Sequence, residues 1–237
     1  MNKVKLHTLW LLGMLFLMTA CGDDDDYYYP SVKLEFVTVK AGADGLIQSL
    51  LPDKGELLTV AKDRTGSTIS PNSARRVISN YEVNPEDATA VIYSLQSVVT
   101  PEPKEADDPA FEGGLKYDPV DVTSIWLGRD YLNMILNVKI NINSGKQHVF
   151  GMIEESVEVE GDETVVTLSL FHDANGDEEN YNRRAYISVP LTKYVDEENP
   201  HQTIRIKFKY HTTDKSGVVI ESSKYCDPGF EYVPDGN

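Results

Sequence analysis

The residues whose types and spacing come nearest to a chemical site lie in the run His172-Asp173-Ala174-Asn175-Gly176-Asp177-Glu178-Glu179-Asn180. Asp173, Asn175 and Asp177 recur at every second position, as oxygen ligands do at the start of a calcium loop. The likeness breaks at the sixth position, where Glu178 stands in place of the glycine the turn requires. It breaks again at the twelfth, where Arg184 replaces a bidentate glutamate. The run also separates two strand-like segments, and a hairpin loop with Asx turns at Asp173 and Asn175 accounts for it equally well. His148, His172, His201 and His211 form no His-x-His or His-x-x-x-His pair, and no cysteine stands near them to complete a zinc quartet. No metal or cofactor is therefore expected. Glu154-Glu155, Asp177-Glu178-Glu179 and Glu197-Glu198 are paired carboxylates, but a glycosidase needs two carboxyls facing each other across a cleft, which adjacency does not provide. Gly-x-Ser-x-Gly, Ser-x-x-Lys and Gly-x-x-x-x-Gly-Lys are all missing, so no catalytic residue is nominated and an enzyme is not expected.

Cys21 has the clearest chemistry. Lys3 and Lys5 precede the apolar run Leu9–Met18, which is too short to span a bilayer but long enough for a signal-peptide core. The run ends in Leu17-Met18-Thr19-Ala20-Cys21, which resembles a bacterial lipobox with Met18 in the place usually held by leucine. Residues 1–20 then form a cleaved signal peptide and Cys21 becomes the acylated N-terminus. Acyl chains contribute ~0.8 kcal/mol per buried CH₂, so a multiply acylated cysteine holds a protein on a membrane. Four aspartates follow, Asp23 to Asp26. Like charges in a run stay solvated, so residues 21–32 read as an acidic tether. The arrangement resembles the export signal of Bacteroidetes surface lipoproteins; a periplasm-facing lipoprotein with an acidic spacer is the other reading. Cys226 is then left without a partner, as a structural or near-surface thiol.

Charge narrows the partners. The 237 residues carry 38 acidic and 22 basic side chains, a formal charge of −16, and loss of Lys3 and Lys5 makes the remainder more acidic by two charges. A field of this sign disfavours nucleic acid and anionic lipid surfaces. The cations of the first half, Lys33, Lys40, Lys54, Lys62, Arg64, Arg75 and Arg76, are interspersed with acids and do not make the basic groove that single strands require.

The elements that must position these groups are β throughout. Lys33–Lys40 and Thr203–Tyr210 alternate at period two, with apolar side chains expected on one face and charged ones on the other. Further runs rich in Thr, Val, Ile and Tyr are 56–61, 76–82, 90–99, 122–127, 131–142, 148–160, 163–171 and 184–191. Asn143-Ser144-Gly145, Glu160-Gly161-Asp162 and Asp214–Gly217 are turns between them. Asn84-Pro85-Glu86-Asp87 has the form of a helix start, so a short helix is expected at 84–89. Residues 101–119 contain four prolines among acidic residues and read as a linker. The expected organisation is an all-β chain: a small OB-like barrel at 33–100, the linker, and a β-sandwich at 120–233.

The most distinctive string is Asp121-Val122-Thr123-Ser124-Ile125-Trp126-Leu127-Gly128-Arg129-Asp130-Tyr131-Leu132-Asn133-Met134. Trp126 is expected to anchor the sandwich core, since a large aromatic contributes most when buried between sheets; a stacking platform for a ligand is the alternative. Together with the Asp173–Asp177 loop and Tyr186-Ile187-Ser188-Val189-Pro190-Leu191, this string resembles the NigD-like lipoproteins of Bacteroidetes over residues 33–232. The resemblance implies a lipidated signal, an OB-type barrel and a C-terminal sandwich, and it transfers no catalytic or ligand-binding residue. The family's association with a bacteriocin operon implies an immunity or accessory role by neighbourhood alone.

The expectation is a lipoprotein of the outer membrane, exposed at the cell surface and held by Cys21. It would bind a protein, peptide or glycan without catalysis. A bacteriocin-immunity or envelope-accessory role is the alternative.

Overall fold

The computed structural model describes residues 31–161, 163–177, 181–196 and 202–234. The expected signal peptide, Cys21 and the tether up to residue 30, Glu178–Asn180, Glu197, Glu198 and His201 lie outside the described residues, and Val32, expected in the tether, begins the first strand. Thirteen strands and two 3₁₀ turns make up the described elements. None of the described helices is long and apolar enough to cross a membrane.

The first five strands are β1 (Val32–Ala41), β2 (Ile47–Pro52), β3 (Leu58–Asp63), β4 (Ala74–Asn84) and β5 (Thr89–Ser97). They close into a barrel in the order β1-β2-β3-β5-β4. β3 and β5 pair in parallel and the other neighbours are antiparallel. This is the OB arrangement, and closure removes the sheet edges that an open five-stranded sheet would expose. Val37, Val39, Ile47, Leu50, Leu58, Val77, Tyr81, Ala90 and Ile92 fill the interior. The helix expected at 84–89 is instead the turn joining β4 to β5, with Ala88 at φ 52°. Four residues between two paired strands leave no room for a helical turn that also preserves the ladder Asn84↔Thr89.

One face per strand, as the alternation of β1 suggested, is too simple. Val37 and Val39 point into the barrel, whereas Leu34 and Phe36 lie on the opposite face, and Phe36 is buried there. β4 repeats the pattern, with Arg76, Val77, Ile78 and Ser79 all buried in succession. Successive strand residues point to opposite faces, so continuous burial means that something covers the outside of the barrel at β1 and β4.

That cover is the second half of the chain. A five-stranded sheet runs β13-β12-β10-β9-β6 and a three-stranded sheet runs β11-β8-β7. Their strands are β6 (Pro103–Glu105), β7 (Asp121–Gly128), β8 (Tyr131–Ile140), β9 (Val149–Glu160), β10 (Glu163–Asp173), β11 (Tyr181–Pro190), β12 (Thr203–Thr213) and β13 (Val219–Tyr232). The sheets pack face to face around Leu132, Met134, Leu136, Leu168, Ile187, Val189, Ile206 and Phe208. β10 and β12 pair in parallel because β11 intervenes in the other sheet.

Residues 101–119, expected as a linker, are folded onto the sandwich. β6 pairs in parallel with β9, and just before it Val99 pairs with β11 through Val99 N–H to Tyr186 O and Ser188 N–H to Val99 O, each 2.9 Å. Asp108 caps the 3₁₀ turn Pro109–Phe111, and Phe111 is buried against Ile153 and Phe171. Pro103 stands on the edge strand of the sheet and Pro109 at the first position of the 3₁₀ turn, two places where a missing donor costs little.

Candidate functional site

The three-stranded sheet has two covered faces. Its inner residues, Met134, Leu136, Ile187 and Val189, belong to the sandwich core. The alternate residues, Trp126, Asn133, Ile135, Tyr186 and Ser188, meet the barrel. The register places Asn133 opposite both Trp126 and Ser188, and Ile135 opposite Tyr186. Trp126 is therefore not in the sandwich core as expected. It packs edge-on against Phe36 at 5.3 Å between ring centres, in a cluster with Ile78, Val98, Ile135 and Tyr186.

A polar network lies beside this cluster. Arg76, 4% exposed, donates from Nε to Ser188 Oγ (3.0 Å), from Nη1 to Thr38 Oγ1 (3.4 Å), and from Nη2 to Asn133 Oδ1 (3.1 Å) and the Asp53 carboxylate. Asn133 donates from Nδ2 to the other Asp53 oxygen at 2.8 Å, and Ser188 donates to Asn133 Oδ1 at 2.6 Å. The guanidinium also lies 4.4 Å from the centre of the Tyr131 ring. A buried charge is tolerated only when paired and fully hydrogen-bonded, and here both halves of the molecule supply the partners. Arg129 extends the seam, donating from Nη2 to Gly55 O at 2.8 Å. Gly128 is required by close approach: a Cβ there would fall on the Asp53 carboxylate.

Next to the network is a groove of about 360 Å³, walled by Leu34, Phe36, Ile78, Trp126, Ile135 and Tyr186 and edged by Glu35, Asp53, Lys54, Gln96 and Arg184. Glu35 accepts a hydrogen bond from Tyr81 at 3.0 Å. Burial and that carboxylate push the Tyr81 hydroxyl well above the ordinary tyrosine range, which keeps it a donor. An apolar cleft with a few convergent polar groups is the usual form of a ligand site.

The other sequence candidates fall elsewhere. Asp173 Oδ1 accepts from Asn175 N at 2.7 Å, an Asx turn, while Asp177 Oδ2 accepts from Asn141 N at 2.9 Å. Asp173 and Asp177 are thus engaged by separate backbone donors, and the described residues contain no group of three or more metal-ligating side chains. His148 and His172, far apart in sequence, meet: Nδ1 of His148 and Nε2 of His172 are 2.9 Å apart, and His172 Nδ1 lies 2.9 Å from Asp118 O. A carbonyl only accepts, so His172 carries its proton on Nδ1. Burial lowers its pKa. His148 Nε2 lies 3.4 Å from Asp177 Oδ2. His211 stacks near Tyr117 at 4.5 Å. Glu154 is engaged by Lys193 and Tyr194, and Glu155 by Lys209. Cys226 donates to Phe208 O at 3.5 Å, and burial raises its pKa. Arg76, counted by sequence among the cations of the first half, is buried.

Sequence reasoning missed the network and Arg184. The available signals were Phe36-Val37 and Val77-Ile78, apolar on both faces, and two polar residues, Asn133 and Ser188, set inside apolar strands.

Residues 36–98 match the NigD-like N-terminal OB domain and residues 103–221 the NigD-like C-terminal beta sandwich domain. The crystal structure of a NigD-like immunity protein from Bacteroides caccae is 71% identical, covers 88% of this chain and 100% of its own, and superposes with a TM-score of 0.79. Two more distant structures share the fold. A candidate toxin-related protein from Parabacteroides distasonis is 16% identical over 86% of this chain and 95% of its own, with a TM-score of 0.64. A candidate lipoprotein from Bacteroides fragilis is 12% identical over 86% of this chain and 99% of its own, with a TM-score of 0.56. No curated protein matches. An OB barrel seamed to a sandwich, matched over both halves and shared with a relative at this identity, places the chain in the NigD-like family.

Proposed function

We propose that this protein is a lipoprotein of the outer membrane, anchored through an acylated Cys21 and facing outward, that acts by holding a protein, peptide or glycan partner and not by catalysis. The observation that carries the binding reading is the junction groove. Its walls come from both halves, and the buried Arg76 network fixes them relative to each other. A preformed cleft on a rigid support costs little ordering on binding. Glu154, Glu155 and Asp53 are tied to Lys193, Lys209 and Arg76, which leaves these carboxylates in structural roles and supports a non-enzymatic reading. The burial of Arg76 removes one cation from the barrel surface and speaks against nucleic acid. The lipobox-like string before Cys21 and the aspartates after it support the anchor and the outward face.

Glycan and peptide arrays probed with the purified protein test the binding reading; one reproducible ligand class is expected, and uniform silence overturns it. Metabolic labelling with an alkynyl fatty acid tests the anchor, with label expected on the native protein and lost in Cys21→Ala.

The name of the 71% identical relative, an immunity protein, favours a second reading, protection against a bacteriocin by capture near the membrane. Deletion of the gene with unchanged sensitivity to every co-resident bacteriocin would remove that reading.

A further inference from the structure

The charges around the junction groove are not equally committed. Asp53 is held by Arg76 and Asn133, and Glu35 accepts from the Tyr81 hydroxyl. Among the described residues, the side chains of Lys54 and Arg184 have neither a hydrogen bond nor an ion pair, although both line the groove. Arg184 stands on β11 two residues before Tyr186, on the same face, so its guanidinium edges the aromatic wall. A protein with net charge −16 thus leaves two unpaired cations beside an apolar cleft.

We infer that the groove is a binding site for a small amphipathic anion, an apolar ring or short chain that lies against Trp126 and Tyr186 and ends in a carboxylate paired with Arg184. The inference rests on the binding reading above and gives it a ligand class. A guanidinium presents parallel N–H donors that match a carboxylate in two-pronged fashion. Beside apolar walls such a pair is screened less than in open water. The volume, about 360 Å³, lies at the lower end for small-molecule clefts and suits one ring with a short tail. Glu35 makes the rival case, since a carboxylate at the same edge, even one that accepts from Tyr81, would select a cationic ligand.

Isothermal titration with 4-phenylbutyrate, 4-phenylbutyramide and 4-phenylbutylamine separates these cases, because the three share a body and differ in charge. The carboxylate should bind saturably and about ten-fold or more tightly than the amide, the ratio set by one charge-assisted hydrogen-bonded pair, with the amine weakest. Arg184→Gln should abolish the preference for carboxylate over amide at an unchanged melting temperature. Arg183→Gln, at the neighbouring position that does not line this groove, should leave the preference intact. Equal affinities, a preference for the amine, a preference that survives Arg184→Gln, or no binding of any of the three overturns the inference. A ligand found on the arrays while the phenylbutyrate series is silent would leave the binding reading standing and remove only this ligand class. Silence in both experiments removes both.

Discussion

Arg76 on β4 of the barrel donates to Asn133 Oδ1 on β8 of the sandwich at 3.1 Å, joining positions 57 residues apart in a fully buried contact. Asn133 in turn donates to Asp53, which also accepts from Arg76. Three side chains thus close a ring in which every charge has a partner, and Ser188 and Thr38 accept from Nε and Nη1 of the guanidinium. The barrel supplies both charges and Thr38, and the sandwich supplies the neutral Asn133 and Ser188 that fix their geometry.

The ring predicts a large and specific loss on truncation. Arg76→Met keeps much of the stem but leaves the Asp53 carboxylate, 13% exposed, without its counter-charge. Removing one member of a buried pair costs about 3–5 kcal/mol, and chemical denaturation should show a loss in that range. In the double variant Arg76→Met, Asp53→Asn the loss should be smaller than the sum of the two single losses. Additive losses would mean that the pair is not coupled.

Gly128 gives a second prediction. Its Cβ position is occupied by the Asp53 carboxylate, so Gly128→Ala must push Asp53 away from Asn133. Overpacking of this kind costs about 1–3 kcal/mol. The same substitution made in an Asp53→Ala background should cost less, because the Asp53 carboxylate is gone and only Asn133 Nδ2, whose partner has left with it, must give way. An equal cost in both backgrounds, read by denaturant titration, would place the strain elsewhere.

Much of the barrel and sandwich could be read from period-two alternation, and the strand runs at 76–82, 131–142 and 163–171 fall within or across β4, β8 and β10. What escaped was anything decided between the halves. Phe36 interrupts the alternation of β1 because it faces the sandwich, and the sequence holds no mark of that partner. Trp126 was assigned to a core because a large aromatic in a strand usually belongs there, whereas the sheet it sits on is covered on both faces and its face meets the barrel. β2 and β6 were missed for separate local reasons, β2 being short and β6 carrying proline at an edge, while β13 was implied only by the turn Asp214–Gly217 and given no bounds, being half-exposed with Pro228 and Gly229 near its end. The Arg76 ring draws one residue each from β1, β4, β8, β11 and the turn after β2, a constellation that only the fold assembles.

The folded state of residues 101–119 makes a third prediction. In a solvated linker Phe111 would be free to change, but here its ring lies 5.0 Å from that of Phe171 and it is 8% exposed. Phe111→Ala should cost about 3 kcal/mol by the usual cost of emptying a buried aromatic site. Glu112→Ala, at the exposed next position, should stay within about 0.5 kcal/mol of the parent. Equal, negligible effects would return the segment to the status of a linker.

His172 makes stability depend on pH in a definite direction. His172 is 2% exposed, lies against the ring of Phe150 at 4.7 Å, and gives its Nδ1 proton to Asp118 O. Its pKa is lowered from 6.5, chiefly by burial, with the Asp118 carbonyl opposing and the charge of His148 adding to the fall. Between the lowered value and 6.5 the unfolded chain therefore holds more protons on this residue than the folded one. Unfolding takes up protons in that window, so the contribution of His172 is complete above pH 6.5 and is lost as the pH falls below it, levelling once the folded ring is protonated too. Denaturation measured at steps from pH 7.5 to 4.5 should show a decline below 6.5 that is shallower in His172→Gln, after each curve is set to its own value at pH 7.5. The comparison within each protein removes the cost of the substitution itself, and parallel curves would show that another group carries the dependence. Asp118, Asp173 and His148 are the charged or titratable groups acting on the ring, so the same scan is run in His148→Gln: the part of the decline that persists there but is lost in His172→Gln belongs to His172.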